Sequence, residues 1–466
     1  MTPLDTVRNL IDQAADEYEE CWTFLCSWKE GRNRPASTQI LDFQPKLANA
    51  IFKLGHLHES LAKERTSLIR RKKNLSPTWF RRRMSALAGY QNALAEAIKI
   101  GRVIGDSFAW IFYQGERDRF RKHFLHEPIF KIPSGLGGRG EIAFVKRFGV
   151  FNGHLLIYHG ITSFLRIGDV SFWNPISNTI TAIGELKAGK PTESGFPMRL
   201  HLIWPETSKS FWPKPKQPAA PVLKSQPTSK DEQLRKQLNR MATSLSLPQF
   251  RQVIKVHHQM HFNELSTIAD KLDESASAVV RVGDGLILMG LRHSKGESLS
   301  SQLLPKRPIA LNKRLAGIEA HALSIIDMSQ VDHPDDTNRF FIGALDFVAF
   351  PGTAPILWWP ISSEFARKMI FHEVTVTAIY NPAHLVRKLK AAGYDVKLQR
   401  KTMIVSKVID GVCVVFGNMH HFLTYVQRHL LREEAVINIF QRVLDGVKAE
   451  KLSENTRIDL DTQLFY

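Results

Sequence analysis

The sequence predicts a multidomain α+β or α/β chain: a helical N-terminal domain, a sheet-bearing central domain and a C-terminal α/β domain. Apolar residues recur at three- and four-residue steps up to about residue 126, then give way to alternating or short continuous apolar runs. A length of 466 residues supplies several domains at about 100–200 residues each. A hydrophobic fraction of 43% with 23% charged residues is enough to bury a core and is inconsistent with wholesale disorder. The expected domains are 1–126, 127–295 and 296–466.

In the first domain the helical steps run through Leu4, Val7, Leu10, Ile11 and Ala14. They return in Leu41, Leu47, Ile51, Leu54 and Leu57, and in Leu87, Leu94, Ala97, Ile98 and Val103. Breaks are expected at Gly31–Ser37 and Asn74–Pro77. Ser76 and Pro77 open the next helix, since proline at the first helical position gives up no hydrogen bond. Three or four long helices in a bundle or hairpin result. A glycine-rich loop, Gly135–Gly140, then leads into a short helix at Glu141–Phe148.

Strands follow at His154–His159, Phe164–Trp173, Thr179–Ala188 and Met198–Trp204, separated by turn residues. Residues 205–230 are rich in Pro, Lys, Ser and Ala and read as an extended insertion. Helix resumes at Asp231–Leu245 and near His257–Leu272, and Gly283-Asp-Gly285 turns a hairpin within Val279–Leu291. Further strands are expected at Phe340–Phe350, Val374–Tyr380, Thr402–Lys407 and Val412–Phe416, before a helical end at Met419–Lys448.

One stretch concentrates the chemistry. Residues i and i+2 of a strand face the same way, so Glu185 and Lys187 project together while Leu186 turns to the opposite, buried face. Asp169 falls in the preceding strand, and an antiparallel hairpin sets it beside Glu185. Two carboxylates that close repel unless a cation bridges them. Oxygen-only ligation suits a hard ion, Mg²⁺ or Mn²⁺. A lysine beside such a pair can orient an attacking water or stabilise charge developing in a transition state. Together these groups make a phosphodiester-hydrolysing site. The competing reading is a surface hairpin in which Glu185 and Lys187 form an ordinary ion pair.

Asp169 on one strand, with Glu185-Leu-Lys187 on the next, resembles the PD-(D/E)xK nuclease superfamily over about residues 130–205. The resemblance implies a restriction-endonuclease-like mixed sheet in the central domain, with Asp169, Glu185 and Lys187 catalytic and the metal on Asp169 and Glu185. Many members carry a further acidic residue on the helix before the strands, and Glu141 is the candidate here. Gly168 stands where the family pattern has proline, and the helix at 231–245 is expected to complete the core. The implied activity is Mg²⁺- or Mn²⁺-dependent hydrolysis of nucleic acid, DNA favoured over RNA, in bacterial genome or anti-phage defence.

Charge points to the same partner. Lys and Arg number 63 against 45 Asp and Glu, giving +18, which favours a polyanion, nucleic acid before an anionic membrane. Arg70, Arg71, Lys72, Lys73, Arg81, Arg82 and Arg83 form a candidate phosphate-binding patch, with Trp79 and Phe80 alongside. A solvated helical face is the plainer reading of such a run. Arg117, Arg119, Arg121, Lys122 and His123 form a second basic stretch.

Three cysteines make no disulfide framework, no apolar run reaches about 18 residues, and the polar N-terminus is unlike a signal peptide. A cytoplasmic protein without a membrane span is expected. His257, His258, His261, His420 and His421 lack metal-site spacing and read as structural. Residues 250–466 carry no motif with a chemistry, and the C-terminal domain, 296–466, is left as a sensor, regulator or assembly interface for a protein partner. The alternative function is a non-catalytic nucleic-acid-binding or scaffold protein that keeps a nuclease-like fold. The intact Asp169, Glu185 and Lys187 set argues against it.

Overall fold

The computed structural model describes residues 3–31, 37–116, 119–120, 122–123, 132–189, 197–204, 234, 236–239, 241, 254–257, 260–283, 285–293, 297–304, 341–345, 347, 354–399, 402–409, 411–416, 419–449 and 462–465. The chain forms two compact units. The first is Met1–Arg251 with Ser298–Leu304 and Val348–Trp358; the second is Gln252–Glu297, Pro305–Phe347 and Trp359–Tyr466.

The first unit opens with three long helices, α1 (Pro3–Lys29), α2 (Ser37–Arg70) and α3 (Pro77–Tyr113), packed on one another. Helix α1 buries Val7, Ile11, Ala14, Tyr18, Cys21, Trp22 and Leu25, a single stripe at helical spacing. Helix α3 starts amphipathic and becomes buried all round, from Ile100 through Gly101, Val103, Ile104 and Gly105 to Ala109. A segment buried on nearly every side needs cover all round, and its Asp106 and Ser107 need hydrogen-bond partners there. Phe43 of α2 stacks on Phe108 (centroids 4.5 Å apart), and Tyr113 hydrogen-bonds Ser171 beneath the sheet that follows.

The expected glycine loop is already helical, because α4 runs Leu136–Arg147. Gly138 is required by close approach: a Cβ there would lie 2.0 Å from the Pro133 carbonyl oxygen and 2.8 Å from the Phe52 ring of α2. That contact sets Glu141, one turn further on, against the sheet.

The sheet contains β1 (Val150–Phe151), β2 (His154–Tyr158), β3 (Val170–Asn174), β4 (Thr179–Ala188) and β5 (Met198–Ile203), in that order. All four pairings are antiparallel, which corrects the mixed sheet that the family resemblance implied. Each connection is shorter than the dozen or more residues a parallel crossover needs. The strand expected over Phe164–Trp173 shrinks to β3. Gly168, at φ +72°, lies in the left-handed region and turns the chain just before the strand begins. Asp169 therefore sits at the mouth of β3 rather than within it.

Strand β1 is too short to pair with all of β2, and α2 completes the ladder. The Gln44 amide donates to the Leu156 carbonyl (2.6 Å) and accepts from the Tyr158 N–H (2.7 Å). The helices, expected as a domain ending near residue 126, thus share their unit with the sheet. The insertion at 205–230 lies outside the described residues. Of the helix expected at 231–245, residues 234, 236–239 and 241 are described and helical. Met241 packs on Ile167 and Ile183.

In the second unit, β6 (Ile254–His257) pairs in parallel with β14 (Thr462–Phe465). Helix α5 (Phe262–Glu274) follows, and then β7 (Ser277–Gly283) and β8 (Leu286–Arg292) form the expected hairpin. His257 ends a strand while His261 caps α5, so the helix expected from near His257 begins only at Phe262. Strand β9 covers only Phe341–Ala344 of the run expected at 340–350. With β10 (Val374–Tyr380) it completes the sheet β7-β8-β10-β9. Helices α6 (Ser363–Ile370) and α7 (Ala383–Ala391) flank β10 in sequence. A meander of β11 (Asp395–Gln399), β12 (Thr402–Ile409) and β13 (Val412–Phe416) precedes α8 (Met419–His429) and α9 (Glu433–Ala449). Leu430, at φ +59°, divides what the sequence offered as one helix.

The clasp by Gln44 is directly testable. Gln44→Ala leaves a buried N–H and a buried C=O of β2 without partners. It should lower unfolding stability by about 2–4 kcal/mol, measured by urea denaturation. A change under about 0.5 kcal/mol would mean that water or a neighbour takes over both bonds.

Candidate functional site

Strand β4 lies inside the sheet, between β3 and β5, and carries Glu185 and Lys187 on one face. Val170 pairs with Gly184, so Asp169 and Glu185 are the residues next to that pair on their two segments. Asp169 is fixed by its own backbone. Its N–H donates to the Gly184 carbonyl (2.8 Å), and its carbonyl accepts from the His159 N–H (2.9 Å). Its carboxylate accepts the N–H of Leu186 at 2.6 Å.

Glu141 arrives from α4 and accepts a hydrogen bond from the Tyr158 hydroxyl at 2.7 Å. Three carboxylates are thus brought together from a helix, a strand mouth and a strand interior. All three are buried, with Glu141 5%, Asp169 5% and Glu185 4% exposed.

Their electrostatics follow from that placement. Burial raises the Asp169 carboxyl well above the usual carboxylate range, and the charges of Glu185 and Glu141 add to it. Burial, with the charge of Glu185, raises Glu141 to about 7, against the hydrogen bond from Tyr158. The Lys187 ammonium acts in the opposite direction on both.

Lys187 reaches Glu185 Oε1 at 2.5 Å and Gln237 Oε1 at 3.4 Å. The ion pair of the competing reading is therefore present, but not on a surface hairpin. The Glu185 side chain is 5% exposed, while Lys187 keeps 43% of its surface.

The donor set is all carboxylate oxygen, which suits a hard divalent cation. Among the described residues no three His, Cys, Asp or Glu side chains form a ready coordination shell. Glu185 is turned to Lys187 and one oxygen of Asp169 to a backbone N–H. The donor set suits the ion in kind, and the Lys187 ammonium faces the Glu185 carboxylate.

Several neighbours escaped the sequence reading. On β5, His201 pairs directly with Glu185 and Arg199 with Lys187, so both lie on the carboxylate face of the sheet. The Arg199–His201 alternation is an i, i+2 signal of the same kind as Glu185–Lys187. Behind Asp169, His159 bonds the Gly168 carbonyl through Nδ1 (2.9 Å) and Ser171 Oγ through Nε2 (2.7 Å); Ser171 in turn meets Tyr113 (2.6 Å). Burial lowers His159 to about 4, so at neutral pH its Nδ1–H donates and its Nε2 accepts.

The basic patch is elsewhere. Arg70, Arg71, Lys72, Lys73, Arg81 and Arg82 are exposed at the turn between α2 and α3. Arg83 is drawn off to Glu64, at 2.6 Å, and is only partly exposed. Of the second basic stretch, two described members are turned inward. Arg119 pairs with Glu116 (2.5 Å) and donates to the Ile180 carbonyl, while His123 is 1% exposed. Arg117 and Arg121 lie outside the described residues. No helix among the described residues is long and apolar enough to cross a membrane.

Set against known proteins, the chain matches no family model, no curated protein and no solved structure.

The raised carboxyls fix a pH dependence. Glu141 has a folded pKa of about 7 against 4.5 ordinarily. Ionising it therefore disfavours the fold: its stabilising contribution is complete below pH 4.5 and is lost as pH rises to about 7. Asp169 acts in the same direction. Glu141→Gln should flatten the fall of Tm across that window and raise Tm at pH 8. An unchanged slope would mean that Glu141 ionises in the fold without penalty.

Proposed function

We propose that this protein is a metal-dependent nuclease that hydrolyses phosphodiester bonds, in DNA foremost, with RNA as the alternative polymer. The observation that carries the reading is the convergence of buried Glu141, Asp169 and Glu185 from three elements, with Lys187 touching Glu185. A fold that only needed packing would not gather three carboxylates where each penalises the ionisation of the others.

Asp169 and Glu185 hold Mg²⁺ or Mn²⁺, with Glu141 as a further oxygen donor. The ion, when bound, supplies Lewis acidity and lowers the pKa of water. Lys187 orients the attacking water or steadies the negative charge that grows on the phosphate. The Tyr158 hydroxyl keeps Glu141 turned into the site, and the Leu186 N–H keeps Asp169 in place. Arg70–Lys73, Arg81 and Arg82 neutralise backbone phosphates. The second unit serves as a sensor, regulator or assembly surface for a protein partner. Bacterial genome or anti-phage defence is the setting this combination fits by analogy.

A second reading has one specific observation behind it. Glu185 is already paired with Lys187, as it would be in a non-catalytic nucleic-acid-binding scaffold.

Cleavage assays on several nucleic acids with Mg²⁺, Mn²⁺ or EDTA separate the two readings. Asp169→Ala or Glu185→Ala should lose metal binding and activity together. Lys187→Ala should keep the metal and lose roughly 10²-fold or more in rate. All three variants should fold: Asp169→Ala and Glu185→Ala each remove one of the crowded charges, and Lys187→Ala removes a side chain that is 43% exposed. If wild type cuts nothing that Lys187→Ala leaves whole, the scaffold reading replaces the nuclease.

Binding should also depend on salt. With about five phosphates neutralised, affinity should fall a few hundred-fold between about 50 and 200 mM salt by fluorescence anisotropy. A flat response would remove the basic patch from the binding surface.

A further inference from the structure

Two long helices run from the α2–α3 tip to the elements that carry the carboxylate site. Gln44, which clasps β2 beside Tyr158, and Arg70 at the tip are both on α2. At 1.5 Å per residue, the 26 steps between them span about 39 Å. A second helix has a similar reach. Arg81 and Asp106 are both on α3, 25 steps and about 38 Å apart. Asp106 holds the N–H and hydroxyl of Ser163 at the start of the segment that ends in Asp169. Both helices thus carry about the same length between the tip and the residues that hold β2 and the segment leading to Asp169.

One turn of duplex DNA advances about 34–36 Å. A duplex lying along these helices with one phosphate at the site would bring a phosphate one turn along to the neighbourhood of the tip. Long Arg and Lys side chains cover the remaining few ångströms.

The tip has the chemistry for that second contact. No acidic residue occurs between Glu64 and Glu96, and within that interval Arg70, Arg71, Lys72, Lys73, Arg81 and Arg82 are exposed. Lys72 lies over the Phe80 ring at 5.7 Å, and Trp79 is 49% exposed beside them. The exposed large apolar residues here are Trp79 and Ile69. Two such side chains make a small apolar area against six cations, which suits a phosphate backbone better than insertion into a bilayer.

We infer that the α2–α3 tip is a second docking point for duplex nucleic acid, one helical turn from the carboxylate site, so that the protein selects duplexes longer than about 11 bp. The inference rests on the proposed function in one respect, that the carboxylate site meets the nucleic-acid backbone.

The test is a length series. Duplexes of about 8, 12, 16 and 24 bp are titrated with the full chain in EDTA, so that binding is read without cleavage. Wild type should gain roughly 10²-fold in affinity between about 8 and 16 bp and little beyond, as the second contact becomes intramolecular. A variant with Arg70, Arg71, Lys72, Lys73, Arg81 and Arg82 changed to Ser, with its fold checked by circular dichroism, should lose that step. The inference is overturned if wild type shows no step, or if the variant keeps it. It is also overturned if the tip drives binding to anionic phosphatidylserine vesicles while duplex affinity ignores it. Cleavage is assayed separately in Mn²⁺: a length step without cleavage would sink the nuclease and leave the tip assignment standing, and cleavage without a step would do the reverse.

Discussion

The Asp169 N–H donates to the Gly184 carbonyl while the Asp169 carboxylate accepts the N–H of Leu186. One residue is thereby bonded on both sides of Glu185, and the register of β3 against β4 is set at that point. A slip of one residue would turn Glu185 and Lys187 to the opposite face and bring Leu186 among the carboxylates. It would also separate Arg199 and His201 from the residues they oppose. Gly168 turns the chain at positive φ immediately before Asp169, and a Cβ there would press within 2.6 Å of Ile183.

The first unit contains another buried carboxylate, and the contrast between the two is informative. Asp106 is raised by burial to about 7, yet it accepts bonds from the Ser163 N–H and hydroxyl and from the Phe164 N–H, with the charge of Arg102 nearby. It is a buried acid furnished with donors, as a structural group should be. Glu141 and Asp169 are each given one donor here, the Tyr158 hydroxyl and the Leu186 N–H, and face other carboxylates instead. Residues left short of donors in mutual repulsion weaken a fold, and proteins keep such arrangements where function requires them. This difference in surroundings, more than the motif itself, sets the Glu141 cluster apart.

The long helices were legible because their apolar steps persist over many turns, and Glu185 with Lys187 because a strand's period is two. Asp169 was legible as a residue but not as a position, since the turn at Gly168 depends on what a Cβ would strike on β4. Gln44 gave no local signal: a glutamine on an amphipathic helix acquires its role only when an unfinished strand lies beside it. His201 and Arg199 needed the β4–β5 register. Arg83 looked like its neighbours in the patch, but Glu64, across the helix turn, takes it away. Arg119 and His123 belong to a basic run in sequence and are turned inward by Glu116, the Ile180 carbonyl and the Arg166 and Ile167 N–H groups.

The Gln44 clasp also bears on how the chain can be divided. A polypeptide trimmed to begin near residue 127 would keep every carboxylate of the candidate site, yet β2 would lose the only side chain described as completing its outer ladder. Leu156 and Tyr158 would then offer an open edge, a template for a neighbouring strand from another molecule. Self-association would be the default fate of the isolated sheet. The helical layer is thus a guard against aggregation as well as a scaffold, and an insertion or deletion that shifts α2 by one residue would remove that guard without touching a single acidic group.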